Sequence, residues 1–310
     1  MKRSVQKDIL TNSFFVTGVA IFCTLLWGTA FPAIKTGYRL FEISSDDTPS
    51  ILIFAGARFT IAGLMVLAIG LIKNPERMFL HKKDILPVGI LGFFQTFLQY
   101  LLLYIGLVHI SGTKSSLLTS VSAFGSVILS AIFFRSDKLT IQKILGCFVG
   151  ISGIALITLS GGELGGYSFI GDGLVILSNL SGAFGNIVSK KIADKRHPIQ
   201  ISGWQLIIGG TALIIAGMVF GGKLIFYDIK CVMILLYLAF MAGTAFMLWT
   251  MLLFYNNVSK IAVFNLFIPI FGTMWSGIFL NENIFTFINI ISLLLVCSGV
   301  FLVNCKKIKA

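Results

Sequence analysis

An arginine set inside an apolar run is the first residue in this chain that could do chemistry. Arg58 lies between Ile51-Leu52-Ile53-Phe54 and Leu64-Met65-Val66. A guanidinium at the centre of a bilayer costs at least ~2.5–3.5 kcal/mol even on a lenient insertion scale, so it must face a cavity, a partner or an interface. In one reading it receives a substrate carboxylate; in the others it clamps helix carbonyls or snorkels to the membrane surface. Gln95 and Gln99 are spaced i, i+4 and share a helix face, with Tyr100 and Tyr104 repeating that spacing beside them. Amides in lipid are costly unless paired. They therefore line a wet pocket or bond to a neighbouring helix. The same two readings apply to Asn179 and Asn186, seven residues apart and nearly aligned, and to Asn265, one turn before Pro269. Pro32 and Pro269 are expected near the ends of half-helices, where a freed carbonyl or N–H can hold a substrate end group or act as a hinge.

Other chemistries lack their residues. Asp84, Asp172 and Glu282 fall at helix ends, leaving no acid in mid-span to carry a proton between two states, which favours facilitated diffusion or exchange. Of three histidines, His81 and His197 fall in loops, and His109 follows an apolar run and is expected to be exposed. The five cysteines form no CxxC pair and no spacing suited to zinc; they read as small buried hydrophobes. No metal, cofactor or catalytic cluster is expected, and the chain reads as no enzyme. Gly161-Gly162-Glu163-Leu164-Gly165-Gly166 superficially resembles a phosphate cradle, but it follows no strand and carries no base, so it reads as a flexible connector.

The elements that must position these residues are membrane helices. Among 310 residues, 56% are hydrophobic and only 12% charged, with a mean hydropathy of +0.95. A soluble domain carries about 25% charged residues, and this chain has nothing from which to build a polar skin. Apolar runs long enough to span a bilayer occur at roughly 14–34, 51–72, 85–107, 115–134, 141–159, 170–189, 200–220, 232–254, 260–280 and 284–303. With the N-terminus inside, 18 of the 24 Lys and Arg residues fall on cytoplasmic segments, five on outer ones and Arg58 alone within a span. That asymmetry places both termini in the cytoplasm of a multi-pass protein of the cell membrane. It also explains the net charge of +12 without nucleic acid, because the bases sit at the ends of apolar segments.

The two halves echo each other. Trp27-Gly28-Thr29-Ala30 answers Ser181-Gly182-Ala183-Phe184, Arg58 with Gly63 answers Trp204 with Gly209, and Ile110-Ser111 answers Val258-Ser259. Ser152-Gly153-Ile154 answers Ser298-Gly299-Val300, and all four offsets lie between 146 and 154. Halves of 1–159 and 160–310 with five spans each enter the bilayer from opposite faces. The fold expected is an all-α polytopic membrane protein of ten transmembrane helices in two inverted five-helix repeats, an architecture of secondary transporters with a midplane site.

On these motifs the chain resembles the EamA-type permeases of the drug/metabolite transporter superfamily. The resemblance rests on Leu26-Trp27-Gly28-Thr29-Ala30-Phe31-Pro32, Ala57-Arg58-Phe59, Pro269-Ile270-Phe271-Gly272 with Asn281-Glu282, and the paired Ser152-Gly153 and Ser298-Gly299. It implies a carrier for a small organic metabolite, an amino acid or an amphiphilic compound, with export favoured. The partners implied are that solute and the lipid bilayer, in a monomer or a homodimer. It also puts Trp27, Trp249 and Trp275 on spans facing a central cavity, as aromatic walls for a flat or cationic solute or as packing. Trp204, opening the seventh span, reads as an interfacial anchor. The substrate-binding candidates are Trp27, Arg58, Gln95, Gln99, Tyr100, Asn179 and Asn265. Two departures stand out: Ser122-Ala123-Phe124-Gly125 lacks the fourth-span proline, which predicts no kink in the first half, and Asp137 replaces an expected glutamate. An integral-membrane enzyme or a channel would be the alternative, although no acidic or histidine cluster and no charged ring is visible.

Overall fold

A computed structural model describes residues 10–73, 75–134, 139–159, 168–192, 196–282 and 286–304. Both chain ends, Asp137, Cys305 and the glycine-rich connector 161–166 lie outside the described residues. All elements found among the described residues are helical. The helices are α1 (Ser13–Leu40), α2 (Thr48–Lys73), α3 (Lys82–His109), α4 (Gly112–Phe133), α5 (Ile141–Leu159), α6 (Phe169–Gly173 running into Leu174–Ile192), α7 (Pro198–Val219), α8 (Ile229–Tyr255), α9 (Val258–Ala262, Val263–Leu266 and Phe267–Leu280) and α10 (Phe287–Asn304). Seven of them, α1 to α4 and α7 to α9, are long and apolar enough to cross a bilayer; α5 and α10 contain shorter apolar stretches, Ile141–Ile157 and Phe287–Val303.

Glycine decides which helices touch. On α2 and α7, a methyl group on Gly56 would stand 2.5 Å from the Gly210 carbonyl, and one on Gly63 would stand 2.7 Å from the Gly203 carbonyl. On α5 and α10, Gly146 meets the Gly299 carbonyl at 2.5 Å, and Gly153 meets the Ser292 carbonyl at 2.8 Å. In each pair one number rises as the other falls, so the partners run antiparallel. The obstruction is backbone, which no rotamer change can relieve. Around these two seams α1 packs on α8 and α9, and α6 packs on α3 and α4.

Several expectations change in three dimensions. Pro32 is not at the end of a half-helix: α1 runs through it without interruption, and it is buried. Pro269 does follow a break, standing third in Phe267–Leu280 after a 3-10 stretch at Val263–Leu266. The first half also has its break, contrary to the absence of a proline there. α4 divides at Thr119 into Gly112–Leu118 and Ser120–Phe133. The Thr119 hydroxyl donates to the Ser116 carbonyl at 2.6 Å, and the Ser116 hydroxyl donates to the Thr113 carbonyl at 2.8 Å. Hydroxyls that bond back onto the preceding turn compete with the helical ladder and bend it, as a proline would.

Arg58 is not alone in being withdrawn from water: Lys114, one of the five bases counted on outer segments, pairs with Asp172 at 2.9 Å, and both side chains have zero exposure. Their separation in sequence hid the pair. Trp204 does anchor, but to protein: its Nε1 donates to the Met78 carbonyl at 2.7 Å. Asp84 is likewise held, by Arg196 at 2.8 Å. His109 is exposed, and Cys23, Cys147 and Cys231 are buried free thiols.

Substituting valine at Gly56 or at Gly63 should lower stability by about 1–3 kcal/mol, since the facing Gly210 and Gly203 carbonyls are backbone and cannot retreat. Thermal melting followed by size-exclusion chromatography in detergent checks this, with Gly89→Val as the control, because nothing lies within 4 Å of a methyl group there.

Candidate functional site

A cavity of about 90 Å³ lies among α1, α2, α3, α4, α6, α8 and α9. Each of the seven residues named above as substrate-binding candidates lines it: Trp27, Arg58, Gln95, Gln99, Tyr100, Asn179 and Asn265. Asn186 and Trp249 join them, whereas Trp275 stands outside the lining and stacks on Phe279 at 5.6 Å. Sequence reasoning missed Phe31, Thr119, Ser122 and Phe246 as wall residues. One signal could have found Thr119, because it precedes Asn265 by 146 residues, the repeat offset.

Gln95 lies within a turn of π-helix at Phe93–Leu98 in α3, and Gln99 directly follows it. That turn leaves the Phe94 carbonyl free to accept the Ser181 hydroxyl at 2.6 Å. A widened turn of this type often marks a functional site. The opposing face of α6 is stripped to glycine to admit the side chains. A methyl group on Gly182 would fall 2.6 Å from Gln99 Oε1, and one on Gly185 would fall 2.6 Å from Gln95 Cβ. Gln95 Nε2 donates to Asn186 Oδ1 at 3.0 Å, and Asn186 Nδ2 donates to the Ser126 hydroxyl at 3.3 Å. This chain of amides binds α3, α6 and α4 together, so for Gln95 and Asn186 the two sequence readings coexist: they join helices and face the cavity. Gln95 Oε1 is buried with no hydrogen-bond partner among the described residues. Asn179 turns its Nδ2 onto its own helix, at the Val175 carbonyl, 2.8 Å away.

Arg58 neither snorkels nor clamps a helix carbonyl. It is 1% exposed, donates to the Tyr104 hydroxyl at 2.6 Å and approaches Met241 Sδ at 4.0 Å. Its guanidinium carbon stands 4.7 Å from the centre of the Phe59 ring and 5.8 Å from that of Tyr100. Ring faces stabilise a desolvated cation by roughly 2 kcal/mol. No carboxylate pairs with Arg58 among the described residues, and its Nε has no partner. The site thus holds a cation with no carboxylate partner among the described residues beside the cavity. On the facing wall Trp27 meets Trp249 edge-on at 5.0 Å and Phe246 at 5.7 Å, with the Trp27 Nε1 unpartnered. The arrangement can take an anionic group at Arg58, offer an acceptor at Gln95 and a donor at Trp27, and pack a flat apolar body between rings.

Comparison with known proteins bears on this geometry. The profile of the EamA-like transporter family matches residues 15–159 and, a second time, 169–305. The chain is 27% identical over 292 residues to the uncharacterized transporter YvbV of Bacillus subtilis (strain 168), covering 92% of this chain and 90% of that one. It is 24% identical over 215 residues to an S-adenosylmethionine/S-adenosylhomocysteine transporter of Chlamydia muridarum (strain MoPn / Nigg), covering 66% and 63%. A solved structure with 16% identity superimposes with a TM-score of 0.70 over 93% of this chain and 96% of that one, a likeness of fold.

Removing one partner of a buried charge and removing the charge itself have different consequences. Tyr104→Phe should therefore lower the stability of the solute-free protein by about 1.5–3 kcal/mol. Arg58→Met, which fills the same space without charge, should leave it equal or higher. Melting of both variants in one detergent checks this, and a large loss in Arg58→Met would return the arginine to a structural role.

Proposed function

The chain belongs to the EamA-like transporter family, and from that premise we propose that it is a carrier moving a small organic metabolite by alternating access around the cavity. The observation that carries this reading is a cavity walled by α1, α3 and α4 from one half and by α6, α8 and α9 from the other. The arrangement fits two five-helix repeats of opposite orientation, residues 1–159 and 160–310. Under an offset of 147, Gly56 becomes Gly203 and Gly63 becomes Gly210, so the crossing of Gly56 on Gly210 maps onto that of Gly63 on Gly203. The α5 and α10 crossings exchange in the same way under an offset of 146. Antiparallel pairs that map onto themselves are what a two-fold axis in the membrane plane produces, and such carriers work by rocking one repeat against the other.

In this reading Arg58 holds an anionic group of the solute. Gln95, Gln99, Asn179 and Asn265 supply amide contacts, while Trp27 and Tyr100 form an aromatic wall. Pro269 is a hinge, with Thr119 as its counterpart in the first half. An amino acid or an amphiphilic compound of metabolite size suits the lining, and the relative named for S-adenosylmethionine transport supports an organic solute. The protein sits in the cell membrane with both termini in the cytoplasm, as the charge asymmetry favours, and exports its solute.

Solute-panel counterflow in proteoliposomes tests the mechanism. A carrier saturates and exchanges, so flux strictly linear in concentration would refute it. Gln99→Ala should raise the half-saturating concentration about fivefold, the equivalent of one neutral hydrogen bond of roughly 1 kcal/mol. Unchanged kinetics in well-folded Gln99→Ala would remove that residue from the site.

A further inference from the structure

The α3–α4 corner is held by charge from three directions. Lys35 of α1 donates its ammonium to the Ile110 carbonyl at 2.8 Å. Glu282, beyond the end of α9, accepts the Gly112 and Thr113 backbone N–H groups on its two carboxylate oxygens, each at 2.8 Å. Asn281, with φ of +53°, adopts a left-handed turn open to asparagine, which lets the chain reverse over α4. Asp172 of α6 accepts Lys114 Nζ and the Ser168 N–H on the same oxygen, at 2.9 and 2.8 Å. The seven residues Gly112–Leu118 are all buried. They end at the Thr119 break, and Thr119 lines the cavity. The segment is therefore a short buried helix that ends at the cavity wall, with two carboxylates from the other half of the chain on its α3-side end.

We propose that Glu282 and Asp172 are the latch that closes this end of the cavity, and that Gly112–Leu118 swings about Thr119 to open it. This rests on the carrier reading above. An apolar seal would be the more stable way to hold two helices together, because a buried ion pair rarely outperforms packed hydrocarbon. A gate has a different requirement: its closed and open states must lie close in free energy. Charged groups meet it, because opening exchanges the Lys114–Asp172 contact and the Glu282 bonds for hydration, whereas exposed apolar surface would gain no such compensation. The geometry also ties opening to separation of the halves, since both carboxylates belong to the second half, while Gly112, Thr113 and Lys114, which they hold, belong to the first. By the charge asymmetry this corner is at the outer face, so the latched form is closed to the outside.

Access to the cavity can be read without any solute. In full-length protein in nanodiscs with the native cysteines replaced, a Leu103→Cys reporter on the α3 wall is labelled with a hydrophilic maleimide. Labelling should become about tenfold faster in Glu282→Ala and in Asp172→Asn, the change expected for loss of one charge-assisted contact. Exchanging the pair as Lys114→Asp with Asp172→Lys should return the rate towards that of the parent. Hydrogen exchange of amides 258–262, at the opposite corner, should not change, which separates local release from unfolding. Unaltered labelling in both single variants, or acceleration that the exchanged pair does not reverse, would overturn the latch. Neither result touches the carrier reading, which counterflow decides separately.

Discussion

Two helix seams approach so closely that one methyl group would strike the facing backbone, and the rest of the molecule is arranged around them. Between lipid-facing helices there is little hydrophobic drive to associate, so close packing of small residues must supply it. Gly56, Gly63, Gly203 and Gly210 do this for α2 and α7; Gly146, Gly153 and Gly299 do it for α5 and α10. With those four helices joined in antiparallel pairs, α1 packs on α8 and α9 and α6 packs on α3 and α4, leaving a gap among them. That gap is the cavity. None of α5, α7 and α10 contributes a lining residue, while α2 contributes Arg58 alone.

Polar groups around the cavity tie helices together and in places leave an atom without a partner among the described residues. Gln95 illustrates both, with its Nε2 on Asn186 and its Oε1 unpartnered. Ser181, Ser116 and Thr119 turn their hydroxyls to carbonyls and shape the backbone around the site. Arg58 is the exception that gives the chamber its character. Its ring contacts and the Tyr104 hydroxyl hold the guanidinium in place but do not neutralise it. A charge kept that way, with no carboxylate beside it among the described residues, is costly in a dry interior.

The helix breaks at Thr119 and Asn265 show how the same geometry can come from different residues. The second half uses Pro269, which lacks an N–H and cannot complete the preceding turn. The first half has no proline and uses hydroxyl back-bonds instead. A motif search keyed to proline sees only one of these sites, although both face the cavity. Likewise Pro32, the more conspicuous residue in the sequence, sits inside an unbroken helix.

Much of the architecture was legible before any coordinates. Hydropathy located the helices, the 146-residue offset aligned the crossings of α5 and α10, and the cost of amides and guanidinium in lipid singled out Arg58, Gln95, Gln99, Asn179, Asn186 and Asn265 in the cavity lining. Those inferences work because bilayer thickness and desolvation act on each segment separately. Pairing does not act that way. Nothing local marks Tyr104 as the partner of Arg58, Asp172 as that of Lys114, or Glu282 as the cap of Gly112 and Thr113, since those partners are 46, 58 and about 170 residues apart. Only the tertiary structure decides them, because two groups that each need a partner in a dry interior do not specify which one until the packing of the helices brings them within hydrogen-bond reach.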